Sequence, residues 1–284
     1  MENNNALNKK WSDLDIIVLL VNITFFSIVY GIITNPIYVI LTYKRIEHYD
    51  KSIVQCTKMI KKNIGYKGFY RGFGIACFGS LFQDSLFMSS LEYYKENGFT
   101  KLYSQAVNDF VSGFIAHSMV LPVNNFFSLI STKQMSAGLK HYNSHQNTFD
   151  TIATIYKQER LRGFFKGINI SAIYIPTYAM WWSLYGFNKE IANKVSDNNL
   201  VISGTSAGLA GFTSTFFLNP VDVLYTKIQA SNTKQKIMHM SKNIYKESGF
   251  RGFYRGLVLN VFEKTIESIV FGVTYDGIKN MSSF

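Results

Sequence analysis

Three ionisable side chains, Glu263, Lys264 and Glu267, stand close together in a largely apolar stretch, 257–279. Glu263 and Glu267 are four residues apart, so they share one face of a helix. Two carboxylates in low-dielectric surroundings repel each other unless a cation joins them. Lys264 supplies one cation, and the ammonium group of a ligand could supply another. The pattern therefore predicts a site for an amine or a zwitterion, although a structural ion pair between helices would use the same residues.

The composition of the chain is typical of a membrane protein. Its 284 residues are 47% hydrophobic and only 17% charged, whereas soluble domains carry about 25% charged residues. The net charge of +11 suits anionic lipids or solutes. Nucleic acid is not an expected partner, because the basic residues form no long blocks. The two cysteines lack metal-ligand spacing and no nucleophile–base pair stands out, so we expect no metal, no cofactor and no enzyme.

Six stretches are long enough to cross a hydrocarbon layer of ~30 Å as helices. They are 15–42, 74–94, 106–131, 168–188, 200–226 and 257–279. Several contain polar residues, such as Gln83 and Asp84, which should face protein or water instead of lipid. We therefore expect six crossings around a polar centre. A soluble all-helical protein is the alternative, but it leaves Glu263 and Glu267 harder to place.

A short motif occurs three times and divides the chain into thirds. Each copy joins a glycine, two aromatic residues, a base and a second glycine. The copies are GFYRG at 68–72, GFFKG at 163–167 and GFYRG at 252–256. Self-similarity at this spacing indicates repeated folding units. We place them at 1–100, 101–197 and 198–284.

Two further features recur with the motif. An amphipathic segment precedes each copy and predicts a short helix lying in the membrane surface. These segments are 50–63, 148–158 and 236–247. A proline stands near the end of the first, third and fifth spans, at Pro36, Pro122 and Pro220. Proline bends a helix by removing a donor, so we expect three similarly kinked helices around one axis.

Together these features resemble the mitochondrial carrier family, whose repeats carry Pro-x-acid-x-x-base-x-base and, later, acid-Gly and aromatic-base-Gly. The third repeat is the most similar, with Pro220, Asp222, Lys227, Glu247, Gly249, Tyr254, Arg255 and Gly256. The first keeps Pro36, Gly65, Tyr70, Arg71 and Gly72, and the second keeps Pro122, Glu159, Phe165, Lys166 and Gly167. The resemblance implies an all-α membrane protein. Six tilted transmembrane helices in three pseudo-symmetric repeats would surround a central cavity, with short amphipathic helices on the matrix side.

The resemblance also implies a function. It indicates a monomeric, multi-pass carrier that moves a small-molecule substrate across the mitochondrial inner membrane by alternating access. The run YIPTYAMWWSLYGF at 174–187 resembles the family's branched-chain amino acid carriers, as does Trp11-x-x-Leu14-Asp15. An amino acid or another amine-bearing solute is therefore the expected cargo. The alternative is a carrier fold that no longer transports and serves as a membrane adaptor or organelle-shaping protein.

The two gates implied by the resemblance differ in charge. On the matrix side the motif positions hold Tyr38, Leu41, Asn124, Phe127, Asp222 and Tyr225, so five of six charges are missing. Asp222 could reach Lys227, and Gln229 stands where the family has a bracing glutamine. The cytoplasmic gate keeps five of its six charges, in Glu92 and Lys95, Tyr185 and Lys189, and Tyr275, Asp276 and Lys279. We therefore expect the resting protein to be closed on the cytoplasmic side and open to the matrix.

The remaining site residues follow from the same resemblance. Substrate contacts fall a few turns after each motif, at Gly79, Gln83, Asp84, Tyr174, Ile175, Tyr178, Glu263, Lys264 and Glu267. An anionic lipid, cardiolipin in the family, would bind at Arg71, Gly72, Lys166, Gly167, Arg255 and Gly256. Helix N-termini and close-approaching glycines suit a phosphate group. The alternative is a helix start with a packing glycine and a snorkelling cation.

Overall fold

A computed structural model describes residues 16–46, 51–97, 105–139, 147–232 and 236–281. Within these ranges the chain forms nine α-helices and no strands. The helices are α1 (Ile16–Ile46), α2 (Ile53–Asn63), α3 (Phe73–Asn97), α4 (Gln105–Met135), α5 (Thr148–Gly163), α6 (Ile168–Ala192), α7 (Asn199–Ala230), α8 (Ile237–Ser248) and α9 (Leu257–Met281). Two 3₁₀ turns, Tyr66–Tyr70 and Gly249–Tyr254, precede α3 and α9.

The six long helices form a closed ring. In the order α1, α3, α4, α6, α7 and α9, each helix contacts the next, and α9 contacts α1. The first long helices of the three repeats, α1, α4 and α7, also contact one another, so they approach a common axis. The predicted all-helical architecture of three hairpins is confirmed. The prolines Pro36, Pro122 and Pro220 lie inside α1, α4 and α7.

The lipid-facing character of the ring varies between helices. Among the described residues, two helical segments are long and apolar enough to cross a membrane. They are Phe110–Met135 within α4 and Asn199–Ala230, which is α7. Their most apolar windows are only 44% buried, which leaves much apolar surface for lipid. On α7, for example, Leu209 and Phe217 are 58% and 64% exposed. Helix α9 is less apolar because Glu263, Lys264 and Glu267 lie within it.

The short helices have local sequence determinants. Helix α2 begins with a capping box, in which the Ser52 hydroxyl accepts from the Gln55 N–H at 3.2 Å and the Gln55 side chain accepts from the Ser52 N–H at 2.8 Å. Its buried residues are Cys56 and Ile60, while most of its polar side chains are exposed. Helix α8 buries Ile244 in the same way. These one-sided helices agree with the predicted amphipathic segments.

Small residues allow α7 and α9 to pack closely. A β-carbon placed on Gly272 would lie 2.5 Å from the Ala207 side chain and 3.3 Å from the Ser203 carbonyl. A β-carbon on Gly211 would lie 2.6 Å from the β-carbon of Ser268. Membrane helices associate through such close backbone contacts. The packing fixes α9, and with it the three ionisable residues, against its neighbour.

The closing glycines of the three motifs join successive repeats. Gly72, Gly167 and Gly256 have φ angles of 76°, 88° and 76°, which favour glycine over other residues. A β-carbon on each would lie 3.4 Å or less from the first long helix of the following repeat. The residues contacted are Ser131 on α4, Tyr225 on α7 and Leu41 on α1. The recurrence of the motif therefore has a structural reason, which is to connect the repeats in a circle.

A set of asparagines ties each motif to the first helix of its own repeat. In each case the side-chain amide donates to the carbonyl of the first aromatic residue of the motif. The pairs are Asn35 with Phe69 at 2.8 Å, Asn125 with Phe164 at 3.0 Å and Asn219 with Phe253 at 2.9 Å. Asn35 and Asn219 directly precede their prolines, whereas Asn125 stands one helical turn later. Each motif is thus held on two sides.

The second repeat contains a strained backbone position at Arg160. Its φ and ψ angles are 52° and −150°, close to the 59° and −152° of Gly249, which stands at the equivalent place seven residues before the closing glycine. Only glycine adopts this region readily, and another residue there costs about 1–3 kcal/mol. Since Arg160 is exposed, its side chain offsets little of that cost.

We therefore expect Arg160→Gly to raise the free energy of unfolding by about 1 kcal/mol. Thermal unfolding of the purified protein in detergent measures the change. Arg160→Ala serves as the control, because it removes the charge and keeps the β-carbon, and should give no increase. Equal stabilisation by both variants would show that the charge, and not the backbone, is responsible.

Candidate substrate site and gates

Glu263, Lys264 and Glu267 on α9 form an acid cluster with two tyrosines of α1. Glu263 is fully buried and accepts a hydrogen bond from the Tyr30 hydroxyl at 2.5 Å. Lys264 pairs with Glu267 and donates to the Tyr38 hydroxyl at 3.0 Å. Its ammonium also lies 5.3 Å from the centre of the Tyr38 ring, a cation–π distance. The acid cluster consists of these five residues.

The charges within the acid cluster do not balance. It contains two carboxylates and one ammonium group, and that ammonium is 3.8 Å from Oε2 of Glu263. This oxygen is buried and has no hydrogen-bond partner among the described residues. The side chains of Lys264 and Glu267 are 32% and 38% exposed, so part of the cluster is accessible. The arrangement can accept one more positive group.

The other predicted substrate residues have different surroundings. Gln83, Asp84 and Ile175 are half-buried. Gly79 is buried at the contact of α3 with α4, where a β-carbon would lie 2.6 Å from the Phe127 side chain. Close packing is therefore a sufficient reason for this glycine, and its contact with substrate stays a prediction. Tyr178 lies outside the described side chains.

Asp222 is the centre of the matrix-side gate, and it is bonded to three other helices. Arg45 on α1 donates to its carboxylate at 2.9 Å, Tyr174 on α6 at 2.6 Å and Asn260 on α9 at 2.7 Å. Arg45 and Asp222 are only 11% and 14% exposed. The expectation of an almost uncharged gate is therefore wrong, because a base outside the family's motif positions completes an ion pair. Tyr174, predicted to bind substrate, belongs to this gate.

Neutral hydrogen bonds complete the contact between the three axial helices. Gln229 on α7 accepts from Ser128 at 3.1 Å and Thr132 at 3.0 Å, both on α4. The Tyr43 hydroxyl on α1 donates to the Ala137 carbonyl at 2.7 Å, after the end of α4. With the Asp222 contacts, these bonds join α1, α4 and α7 in pairs. The structure therefore describes a matrix end that is held together, and which end is closed in the resting protein stays a prediction.

Three matrix-gate residues differ from expectation. Lys227 pairs with Glu247 at 3.6 Å instead of Asp222. Tyr38 belongs to the acid cluster, where its hydroxyl accepts from Lys264 on α9. At the second repeat, Asn125 makes the contact expected of its half-buried neighbour Asn124: the Tyr225 hydroxyl donates to Asn125 at 3.3 Å. A shift of one residue turns a helical side chain by about 100°, which explains the exchange of roles.

The cytoplasmic gate contains one described ion pair, between α6 and α9. The Lys189 ammonium lies 2.5 Å from the Asp276 carboxylate, and the Tyr185 hydroxyl donates to the same carboxylate at 2.9 Å. Ser203 on α7 donates to it as well. Tyr185, Lys189 and Asp276, which the sequence assigned to this gate, thus lie together as an ion pair with an aromatic hydroxyl bonded to it. The other gate residues, Glu92, Lys95, Tyr275 and Lys279, lie outside the described side chains.

Comparison with known proteins agrees with this architecture. A family model described as "Mitochondrial carrier protein" matches residues 25–102, 103–196 and 196–283. The chain belongs to the mitochondrial carrier family. Members of the family are transporters and not enzymes, and this carrier shares their three-repeat fold.

Several relatives of this carrier are similar over most of their length. Solute carrier family 25 member 44 of Mus musculus is 27% identical over 239 residues, which cover 77% of this chain and 75% of that protein. Mitochondrial magnesium exporter 1 of Drosophila melanogaster is 24% identical over 241 residues, covering 78% of each chain. Solute carrier family 25 member 33 of Homo sapiens is 25% identical over 241 residues, covering 79% of this chain and 74% of that protein.

Two of the bases predicted to meet lipid do not face outward in this carrier. Arg255 is 2% exposed and pairs with Glu247 at 3.3 Å, and Lys166 is 8% exposed and pairs with Glu159 at 3.0 Å. Both side chains are thus engaged by acids of the protein, and Arg255 shares its acid, Glu247, with Lys227. Their contact with a lipid headgroup stays a prediction. Arg71 is half-buried. The closing glycines stay candidates for a phosphate contact through their backbone.

Sequence reasoning missed three residues of the carrier's site, and two of them had a signal. Arg45 stands nine residues after Pro36, as the bracing Gln229 stands nine residues after Pro220. Asn260 stands four residues after a closing glycine, where the second repeat has Ser171, and both contact the gate. Comparison of the repeats position by position would have identified them. Tyr30 has no such signal, because its role depends on how α1 faces α9.

Proposed function

We propose that this carrier transports an amino acid or another amine-bearing metabolite across the mitochondrial inner membrane by alternating access. The observation that carries the proposal is the acid cluster, whose two carboxylates have one ammonium between them. A cargo ammonium group supplies the missing positive charge. A polyanionic cargo such as a nucleotide would instead meet repulsion from Glu263 and Glu267.

Branched-chain amino acids are the first candidates within this class. The segment 174–187 on α6 resembles carriers of leucine, isoleucine and valine in sequence. Aromatic side chains of this segment form a cluster: Trp181 stacks on Tyr185 with ring centres 5.3 Å apart and meets Phe271 on α9 edge-on at 5.7 Å. An apolar cargo side chain and a cationic cargo group would each find a matching surface in the ring.

The gates support transport over the alternative of an inactive adaptor. Loss of the matrix-side motif charges was the feature that favoured the adaptor. The bonds of Asp222 to Arg45 and of Gln229 to α4 supply a gate by other means. On the opposite side Asp276 joins α6 and α9. A protein with bonds at both ends can close them alternately around a site between them.

A lipid groove at the third repeat supports a cardiolipin-type partner for a monomeric carrier. The groove is lined by Lys44, Phe216, Phe250, Arg251, Tyr254, Arg255, Gly256 and Leu257. Phe250 is 75% exposed and Phe216 46% exposed, which suits acyl chains, while Lys44 and Arg251 offer positive charge. The N-terminus of α9 adds backbone N–H groups for a phosphate.

Ligand-dependent stabilisation of the purified carrier tests the proposed cargo. Leucine, isoleucine, valine, simple primary amines, dicarboxylates and nucleotides are compared by thermal shift, and the active compounds are followed by uptake into proteoliposomes. We expect only the amine-bearing compounds to raise the unfolding temperature, since a ligand that binds the native state stabilises it. Stabilisation by nucleotides or dicarboxylates alone, or by no compound together with absent uptake, would contradict the proposal.

Glu263→Gln tests the place of the site within the carrier. Because the amide is neutral, we expect at least about tenfold more leucine to be needed for half of the maximal shift, equivalent to a binding loss of about 1.4 kcal/mol. Glu190→Gln on α6 is the matched control, since Glu190 is exposed and lies outside the acid cluster. An equal response to leucine in both variants would place the cargo elsewhere.

A further inference from the structure

We propose that Glu263 carries a proton in the empty carrier and releases it when the ammonium group of the cargo binds, so that transport exchanges cargo for a proton. The inference rests on the proposed function, because it requires a cargo with an ammonium group. It goes beyond that function by naming a second transported ion and the atom that holds it, Oε2 of Glu263.

Groups from α1 and α9 face Glu263, and α7 packs nearby. From α1 these are the hydroxyl of Tyr30, bonded to Oε1 at 2.5 Å, and the hydroxyl of Tyr38, which also interacts with the carboxyl. From α9 they are Lys264 and Glu267, which are paired with each other. Helix α7 meets this part of α9 through Gly211, which lies against the Lys264 carbonyl and has no side chain to add a charge.

Lys264 already has other partners. Its ammonium is bonded to Glu267 and to the Tyr38 hydroxyl, and it is 3.8 Å from Oε2 of Glu263, beyond hydrogen-bonding distance. Lys264 is thus bonded to Glu267 more closely than to Glu263. The Tyr30 hydroxyl donates to Oε1 of Glu263, and Tyr38 also acts on this carboxyl, but Oε2 is buried and makes no hydrogen bond of good geometry with the described residues.

In a dry site, a charge on Glu263 needs a counter-charge. Glu263 is fully buried, one of its oxygens accepts no hydrogen bond, and the nearest ammonium is already bonded to Glu267. A buried carboxylate that is only partly compensated in this way favours the uptake of a proton or a cation. In the empty carrier the available ion is a proton. When cargo enters past the half-exposed Lys264 and Glu267, its ammonium can replace that proton. The carboxylic acid then becomes a carboxylate bonded to the ammonium, and the proton passes to water. No bond within the cargo changes.

The consequence is exchange and not simple diffusion. At the Glu263 carboxyl itself, the proton of the empty site and the ammonium of the loaded site supply the same positive charge, so both forms can pass through the closed state. The carboxylate of an amino acid cargo adds one negative charge to the loaded site, so the exchange of leucine for a proton moves one net charge. An empty site without a proton would carry an extra buried negative charge and return much more slowly. Cargo and protons therefore move in opposite directions, one for one.

Leucine is the probe in the test, with wild-type carrier in proteoliposomes whose membrane potential is clamped by potassium and valinomycin. Uptake of labelled leucine and the luminal pH, reported by a trapped dye, are recorded together. We expect one proton to leave the lumen per leucine that enters. The accumulation ratio of leucine should rise about tenfold for each pH unit by which the lumen is more acidic. The 2-oxo acid analogue of leucine, which lacks the ammonium group, should move no protons.

Two variants separate the inference from the proposed function. Glu263→Gln, assayed at leucine concentrations that saturate it, should lose the response to pH, whereas Glu190→Gln should keep it. Glu263→Asp, which retains a titratable carboxyl, should keep proton exchange and covers the case in which the amide variant does not fold. Leucine uptake by the wild type without proton movement, and independent of pH difference, overturns the inference and leaves the proposed function intact. If neither leucine nor any other amine binds or is taken up, both fail.

Discussion

Asp222→Asn is expected to lower transport at least about tenfold and the free energy of unfolding by about 3 kcal/mol. The carboxylate is bonded to Arg45, Tyr174 and Asn260, which come from three other helices. An amide cannot accept from all of these donors, and it leaves the guanidinium of Arg45 nearly buried without its counter-charge. Breaking such a pair costs more than the pair contributes, because desolvation of the remaining charge is not compensated. Thermal unfolding and leucine uptake measure the two effects.

Asp197→Asn is the matched control for this change, since Asp197 is exposed in the loop before α7 and should tolerate the substitution. A double-mutant cycle with Arg45→Gln then isolates the pair. If Arg45 acts through Asp222, the double variant should be no less stable than Asp222→Asn alone. Additive losses would show that the two side chains stabilise the protein independently and that Arg45 is not part of the gate.

The fold could be predicted because its signals are local and occur three times. Apolar length, amphipathic periodicity and the position of Pro36, Pro122 and Pro220 each describe one segment, and repetition removes the ambiguity of a single copy. The predicted span 168–188 and the observed Ile168–Ala192 differ by four residues at one end. Hydropathy alone was a poorer guide, because a span such as α9 contains the charged residues Glu263, Lys264 and Glu267.

The gate could be predicted only in part. Which side chains meet across two helices depends on how each helix is rotated about its own axis, and the spacing of residues along the sequence does not give that rotation. The motif positions assigned Tyr38 and Asn124 to the matrix gate, but helix rotation turns Tyr38 toward Lys264 and leaves Asn125 to contact Tyr225. Arg45 lies outside the motif and still reaches Asp222. Chemical type was a good guide to what bonds form and a poor guide to which residues form them.

The partners of the motif bases were also not predictable from the sequence. A cation between aromatic residues at a membrane surface is a reasonable lipid contact, and this was the expectation for Lys166 and Arg255. The acids that pair with them, Glu159 and Glu247, lie seven and eight residues earlier, on the preceding short helix. That pairing requires the chain to turn back on itself, which it does through the backbone conformations at Arg160 and Gly249. Local turn geometry therefore decides whether the base meets lipid or protein.

The second large effect is expected at the closing glycine of the first motif, where alanine should destabilise the carrier, whereas alanine at a glycine two residues later should stabilise it. Gly72→Ala should destabilise the carrier by about 1–3 kcal/mol, because φ is 76° and the new methyl group would lie 3.0 Å from the Ser131 carbonyl on α4. Gly74→Ala, two residues later in the first turn of α3, should stabilise it by up to about 1 kcal/mol. It meets nothing within 4 Å, and alanine favours the helix. Thermal unfolding of both variants in the same detergent gives the comparison.

Comparison of the two variants distinguishes two explanations for Gly72. Either the residue must be glycine because the repeats approach closely there, or glycine is favoured anywhere in this part of the chain. If the closing glycine joins the repeats, Gly72→Ala should also reduce transport, since the motif of the first repeat would be displaced from α4, while Gly74→Ala should transport normally. Phosphate contact by the closing glycine predicts a further difference. Added cardiolipin should raise the unfolding temperatures of the wild type and of Gly74→Ala equally, and should raise that of Gly72→Ala less. Equal stability of the two variants would show that Gly72 is not held against α4. The recurrence of the motif would then need a different explanation from the circular contact of repeat with repeat.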